Sequence, residues 1–268
     1  MSFFALNDYH TKENRRVLAD KLMLGASTYF LARFLCIVFR NRKIAVQGRY
    51  DNDQWVSSSR DVFILIEECG GRFHITGLDN LRKEQGPVVI LSNHMSVLEN
   101  MVFPGIIAQD RWVTFVVKES LVKHPVFGPV MRSRNPIALS RSNPREDFKI
   151  VMSQGLELLQ KGCSIMIFPQ STRKSEFIPA EFHSIGVKLA GRANVPVVPV
   201  AIKTDFWRTG RIMKDLGPIY RKKPIYMTFG EPFRIHGNGK EEHTRIVGFI
   251  SSELSKWKES PATSPGSC

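Results

Sequence analysis

The stretch PVVILSNHMSVLEN, residues 87–100, joins two patterns and puts a titratable pair at the joint. Pro87–Ser92 is a short, unbroken run of β-branched and aliphatic residues, as a strand buried on both faces requires. Apolar residues then resume at helical spacing over 96–108. Between them the chain must turn, and the turn carries Asn93, His94, Met95 and Ser96. Glu99 follows His94 by five positions, close enough across a strand-to-helix turn for the side chains to meet. A carboxylate that holds one imidazole nitrogen protonated leaves the other free to take a proton from a hydroxyl. No protein nucleophile is needed for that chemistry.

Outward from this joint the strand–helix alternation repeats. Strands are expected at Arg72–Thr76, Val113–Lys118, Pro136–Ser140, Ser164–Phe168, Val197–Thr204 and Ile225–Phe229, with helices near 119–132, 144–161, 182–193 and 241–258. The helix from Pro144 has a clear start, with Asn143 as cap, proline in the first turn and Glu146 three residues after the cap. Such alternation implies an α/β fold, a mixed and largely parallel sheet covered by helices. Ligands in these folds gather at loops leaving the strand ends.

Ahead of this pattern, residues 14–41 read as one long helix and a second helical stretch runs to Gly70–Gly71, with Trp55, Val62 and Cys69 on one stripe. Leu22–Phe39 is apolar except for Arg33 and the weakly polar Ser27 and Thr28, and basic residues flank it on both sides. A spanning helix needs about 20 apolar residues, and a central arginine costs roughly 2.5–3.5 kcal/mol on insertion scales. A helix lying in one leaflet, its cationic flanks on anionic headgroups, fits better than a span. A long buried core helix is the alternative. The division expected is residues 1–70 as a membrane-associating helix pair, 71–260 as a catalytic domain, and 261–268 as a disordered tail.

The chain has 268 residues and a formal net charge of +13, with 43% hydrophobic and 24% charged residues. That composition fits a folded domain and excludes a disordered one. The excess charge calls for an anionic partner, such as nucleic acid, a membrane surface or a polyanionic substrate. No recognised nucleic-acid motif and no aromatic-plus-basic strand is present, so nucleic acid is not expected. Cys36, Cys69, Cys163 and Cys268 are widely separated, without metal-ligand or disulfide spacing. A reducing, cytosol-facing setting is expected, and Met1–His10 does not read as a signal peptide.

Three further blocks lie at strand ends: Ile137–Arg141, Phe168-Pro169-Gln170-Ser171-Thr172-Arg173, and Val195–Val200 with two prolines. Taken singly each is as readily a solvated turn or a rigid strand entry as a site. In order and spacing, together with Asn93–Glu99, they resemble the glycerolipid acyltransferase family that contains the 1-acylglycerol-3-phosphate acyltransferases. That family carries Asn-His-x4-Asp, an arginine block, Phe-Pro-Glu-Gly-Thr-Arg and Val-Pro-Ile/Val-Val-Pro-Val. The resemblance covers about residues 72–232, and the N-terminal helix pair looks like the family's membrane-docking element.

The resemblance implies a transfer of a fatty acyl group from acyl-CoA or acyl-carrier protein to the hydroxyl of a lyso-lipid, with 1-acyl-sn-glycerol-3-phosphate as the leading acceptor. His94 would be the base and Glu99 would fix its tautomer. Asn93, Arg141, Gln170, Ser171, Thr172 and Arg173 would bind substrate, the arginines holding a phosphate, and amides near Ser171 would stabilise the oxyanion. No metal and no cofactor beyond the acyl co-substrate are implied. Membrane lipids would be partners, at the cytoplasmic face (the inner membrane in a bacterium). Three residues depart from the pattern: Glu99 for aspartate, Gln170 for glutamate and Ser171 for glycine. The last two bear on the acceptor more than on the reaction. Another lysophospholipid, a lyso-amino lipid or a lipid A-like sugar is therefore an alternative acceptor, and a non-catalytic membrane-binding relative is a second alternative.

Overall fold

The computed structural model describes residues 8–12, 15–23, 26–170, 172–210 and 215–259. Ser171 and the expected tail 261–268 lie outside them. The strands are β1 (Tyr9–His10), β2 (Phe73–Thr76), β3 (Val89–Ser92), β4 (Val113–Lys118), β5 (Ile137–Leu139), β6 (Ser164–Ile167), β7 (Val197–Lys203) and β8 (Ile225–Phe229). They form one eight-stranded sheet in the order β1-β2-β8-β7-β3-β6-β4-β5. Among the described pairs only β1–β2 and β7–β8 are antiparallel. The expected mixed, largely parallel sheet is therefore present.

The helices are α1 (Leu18–Leu22), α2 (Thr28–Val46), α3 (Asn52–Glu68), α4 (Asp79–Arg82), α5 (Leu98–Ile107), α6 (Glu119–Lys123), α7 (Gly128–Arg132), α8 (Pro144–Gln160), α9 (Ile185–Ala193) and α10 (Lys240–Glu259). Every residue of β3 is buried, so the apolar run at 87–92 is the consequence of a central strand covered on both faces. Its alternate side chains sort into two cores. Val88 and Ile90 join Phe115, Met166 and Val198 beneath α2, α3 and α5. Val89 and Leu91 join Ile165, Ile167 and Val197 beneath α8, α9 and α10. His94 continues the parity of Val88 and Ile90, which places it on the α3–α5 side.

Two expectations need correction. The long N-terminal helix is broken: α1 ends at Leu22, and α2 starts only at Thr28 and runs on to Val46. Ser27 ends the break as the residue before α2, and its hydroxyl accepts from Ile219 N–H at 3.1 Å. Second, the expected helix over 119–132 is two short ones, because Pro125 cannot continue a helix and His124 before it is extended. The boundary at 70/71 falls just after α3 but separates no packing layer. Phe30, Phe34 and Trp55 from the N-terminal helices share one core with the sheet, and β1 is a strand of that sheet. Asp20 is fully buried and anchors α1 through Arg16 at 2.6 Å and Arg221 at 2.5 Å. No helix among the described residues is long and apolar enough to cross a membrane.

The helices α3 and α5 approach closely at Gly105, where a Cβ would stand 2.9 Å from Ser59 Oγ. Pro104 sits inside α5, and the Ser59 hydroxyl bridges the disturbed turn. It accepts from Gly105 N–H at 2.7 Å and donates to Met101 C=O at 2.6 Å. Ser59, Met101 and Pro104 line the cavity that holds the candidate site.

Candidate active site

The loop leaving β3 and the first turn of α5 build the centre of the site. His94 Nδ1 and Glu99 Oε1 are 2.9 Å apart, and Glu99 is fully buried. The turn over 93–97 aims the amides of Met95 and Ser96 at the same Oε1, both at 2.7 Å. The hydroxyls of Ser96 and Thr204 donate to Oε2, each at 2.8 Å. Burial alone would raise the Glu99 pKa. The His94 bond and charge, the Ser96 amide and the Thr204 hydroxyl outweigh it and hold the carboxyl below the usual range. A carboxylate this well satisfied stays ionised and keeps Nδ1 as the protonated ring nitrogen. Nε2 is then the nitrogen left for chemistry. Phe168 stacks on the imidazole, ring centroids 4.3 Å apart, and limits rotation of the ring.

His94 lies on the wall of a cavity of about 560 Å³. At its mouth stand Arg141, Thr172, Arg173 and Asp215, and its depth runs between α3, α5 and β4 past Val97, Met101, Pro104 and Phe115. Trp55 and Arg134 also line it, the guanidinium 4.7 Å from the indole centroid. A charged rim over a long apolar interior suits an amphiphile whose polar head stays near His94.

Arg141 is placed by its backbone. It adopts a left-handed φ of 59°, rare for a side chain of this kind. Asp147 of α8 compensates, accepting from Arg141 N–H at 2.9 Å and from Ser140 N–H at 3.1 Å. Arg173 forms an ion pair with Asp215 at 2.6 Å. Thr172 is exposed on the rim.

The structure thus brings His94, Arg141, Thr172 and Arg173 together around one cavity, with Glu99 buried against His94. Two other expected substrate ligands face elsewhere. Asn93 straps β3 to β7, donating to Ile202 C=O at 2.8 Å and accepting from Ile202 N–H at 2.9 Å. Both ends of its carboxamide are used, so the expected substrate contact gives way to a structural one. Gln170 is 1% exposed, does not line the cavity, and accepts from His94 N–H at 2.9 Å. Its exchange for glutamate therefore leaves the charge of the rim unchanged. Ser171 and an oxyanion site near it lie outside the described residues.

Sequence reasoning missed Ser96, Thr204, Asp147 and Asp215. Thr204 lies 105 residues from Glu99 and only the β3–β7 pairing brings it near, so no local pattern marks it. Phe168 was within the quoted block but carried no sign of a ring partner. Among the described cysteines, burial pushes the Cys69 and Cys163 thiols up to about 12, which makes neither a nucleophile.

With the geometry in place, similarity to known proteins is informative. A family profile described as Acyltransferase matches residues 72–203. A 1-acyl-sn-glycerol-3-phosphate acyltransferase of Pseudomonas aeruginosa is 36% identical over 240 residues, covering 89% of this chain and 84% of that protein. The chloroplastic 1-acyl-sn-glycerol-3-phosphate acyltransferase BAT2 of Brassica napus is 30% identical over 139 residues, 52% of this chain and 38% of its own length. The fold is similar to that of the 1-acyl-sn-glycerophosphate acyltransferase PlsC of Thermotoga maritima. The TM-score is 0.62 at 18% identity, over 90% of this chain and 99% of that one.

Proposed function

The chain belongs to the acyltransferase family, and from that premise we propose that it acylates the free hydroxyl of 1-acyl-sn-glycerol-3-phosphate to give phosphatidic acid. The observation that carries the chemistry is the His94–Glu99 pair at 2.9 Å on the wall of an amphiphile-shaped cavity. His94 Nε2 takes the hydroxyl proton as the oxygen attacks the thioester carbonyl. The tetrahedral intermediate collapses with cleavage of the carbon–sulfur bond. The imidazolium, stabilised by Glu99, returns its proton to the departing thiolate. Arg141, Arg173 and Thr172 hold the acceptor's phosphate, and Asp215 yields Arg173 as the phosphate arrives. The apolar interior receives acyl chain.

The donor is acyl-CoA or acyl-carrier protein, and no further cofactor takes part. The enzyme works on a membrane surface, with Leu18, Leu22, Phe39 and Val46 exposed on α1 and α2 among basic residues. The cytoplasmic face fits the free thiols of Cys36, Cys69 and Cys163. Sedimentation with anionic vesicles, weakened by Leu18→Glu and Leu22→Glu, tests the surface reading. The test of the reaction is transfer from labelled acyl-CoA and acyl-carrier protein to a panel of lyso-lipids in mixed micelles. Product from 1-acyl-sn-glycerol-3-phosphate that disappears with His94→Ala is the expected result. Product only from other acceptors would move the assignment to one of them. Turnover that survives in folded His94→Ala would defeat the mechanism.

A further inference from the structure

The segment after β6 grips His94 from three sides. Phe168 stacks on the ring, Lys174 N–H donates to His94 C=O at 3.0 Å, and the Gln170 carboxamide accepts from His94 N–H at 2.9 Å. A backbone N–H can only donate, so the oxygen of the Gln170 amide must face His94. The Gln170 Nε2 is then left buried, without a partner among the described residues. A glutamate here would make the same bond more strongly and would bury no orphaned donor. What the amide supplies, and a carboxylate does not, is an acceptor without charge.

We propose that Gln170 is a positioning residue for the base, fixing the His94 backbone while leaving the imidazole polarised by one carboxylate rather than two. The inference rests on His94 being the base. Charged and titratable groups share the cavity with the ring on several elements, Tyr50 and Arg134 among them. Glu99 faces it from α5. Arg173, paired with Asp215, comes from the segment after β6, and Arg141 from the loop after β5. Lys118 and His124 stand on the β4–α6 wall. Glu99 favours the imidazolium, and the cationic groups oppose it. A second carboxylate against the His94 backbone would raise the ring's proton affinity, so that less of it is neutral, and able to accept a proton, at a given pH.

Two variants test this in the full-length protein, with kcat/KM followed against pH. Gln170→Glu keeps an acceptor for His94 N–H and adds a charge. Its acid limb should move to higher pH by roughly one unit, lowering kcat/KM about tenfold on the limb while the plateau is kept. Gln170→Leu removes the acceptor without adding charge. Its kcat should fall roughly ten- to a hundredfold, with both KM values nearly unchanged and the limb unmoved. A limb that stays in place in Gln170→Glu overturns the inference, as does wild-type kcat in Gln170→Leu. If Gln170→Leu does not fold, the limb of Gln170→Glu decides alone. Turnover independent of His94 would instead defeat the assignment of the base, which His94→Ala reads separately.

Discussion

At the scale of single residues the site is a device for keeping one carboxylate ionised in a buried place. Glu99 receives two amides, two hydroxyls and an imidazole, more partners than a carboxylate on the surface finds. Glu99→Gln keeps the shape but removes the charge that holds the ring tautomer. It should lower kcat about 10²–10⁴-fold, measured with saturating donor and acceptor. Glu99→Asp, which keeps the charge, should retain much more activity. The same carboxyl predicts a pH dependence of stability. Its folded pKa is lowered, so its stabilisation is complete above the unfolded value of about 4.3 and is withdrawn as pH falls through the folded value. Urea midpoints collected on the acid side should therefore fall less steeply with pH in Glu99→Gln than in the parent. Parallel slopes would contradict this.

At the scale of elements, the loop that carries His94 is held in place by bonds that reach past the ends of strands. The β3–β7 ladder stops at Ser92, and the Asn93 carboxamide carries it one step further by pairing with both backbone groups of Ile202. Asn93→Ala leaves those two buried groups without partners, at roughly 1–3 kcal/mol each before relaxation. The melting temperature should drop, and kcat should drop with it because His94 is the next residue. Unchanged stability would show that water replaces the strap. The same logic explains α8. Its cap, Asn143, accepts from Arg145 and Glu146 N–H, and Asp147 in the same turn holds Arg141 in a left-handed conformation at the rim.

At the scale of the molecule, the cavity exists because two layers that are remote in sequence meet over one sheet face. The N-terminal helices supply Phe34, Trp55 and Val62, and the sheet and α5 supply Phe115, Val97 and Met101. A chain entering from His94 must run between them. Met101→Trp should fill that path, shifting preference to shorter acyl chains while the turnover of the shortest is kept. An unchanged chain-length profile would place the acyl chain elsewhere. Because α2 and α3 are part of the main core, removing them would expose Phe73, Phe103 and their neighbours. A fragment beginning at residue 71 should therefore aggregate or stay molten instead of giving a folded catalytic domain.

The sequence by itself determined the fold class and marked His94 and Glu99 as the candidate pair, and the physical reason is locality. Continuous apolar runs of strand length, alternating with helical periodicity, mark a sheet covered on both faces, and His94 and Glu99 are five residues apart on one turn. The blocks around Arg141 and Arg173 were legible only through their order and spacing with Asn93–Glu99, since each alone is as readily a solvated turn. Tertiary structure alone decided which face each side chain took and which remote groups completed the site. Thr204 reaches Glu99 only because β7 lies beside β3, and Asp215 reaches Arg173 from a different part of the chain. Asn93 and Gln170, which the family resemblance groups with the substrate-binding residues, are turned to the backbone of β7 and of His94 because buried amides and carbonyls there need partners. The break between α1 and α2 was likewise invisible, since buried Asp20 and its bonds to Arg16 and Arg221 fix the path of the chain across a core that sequence periodicity does not show.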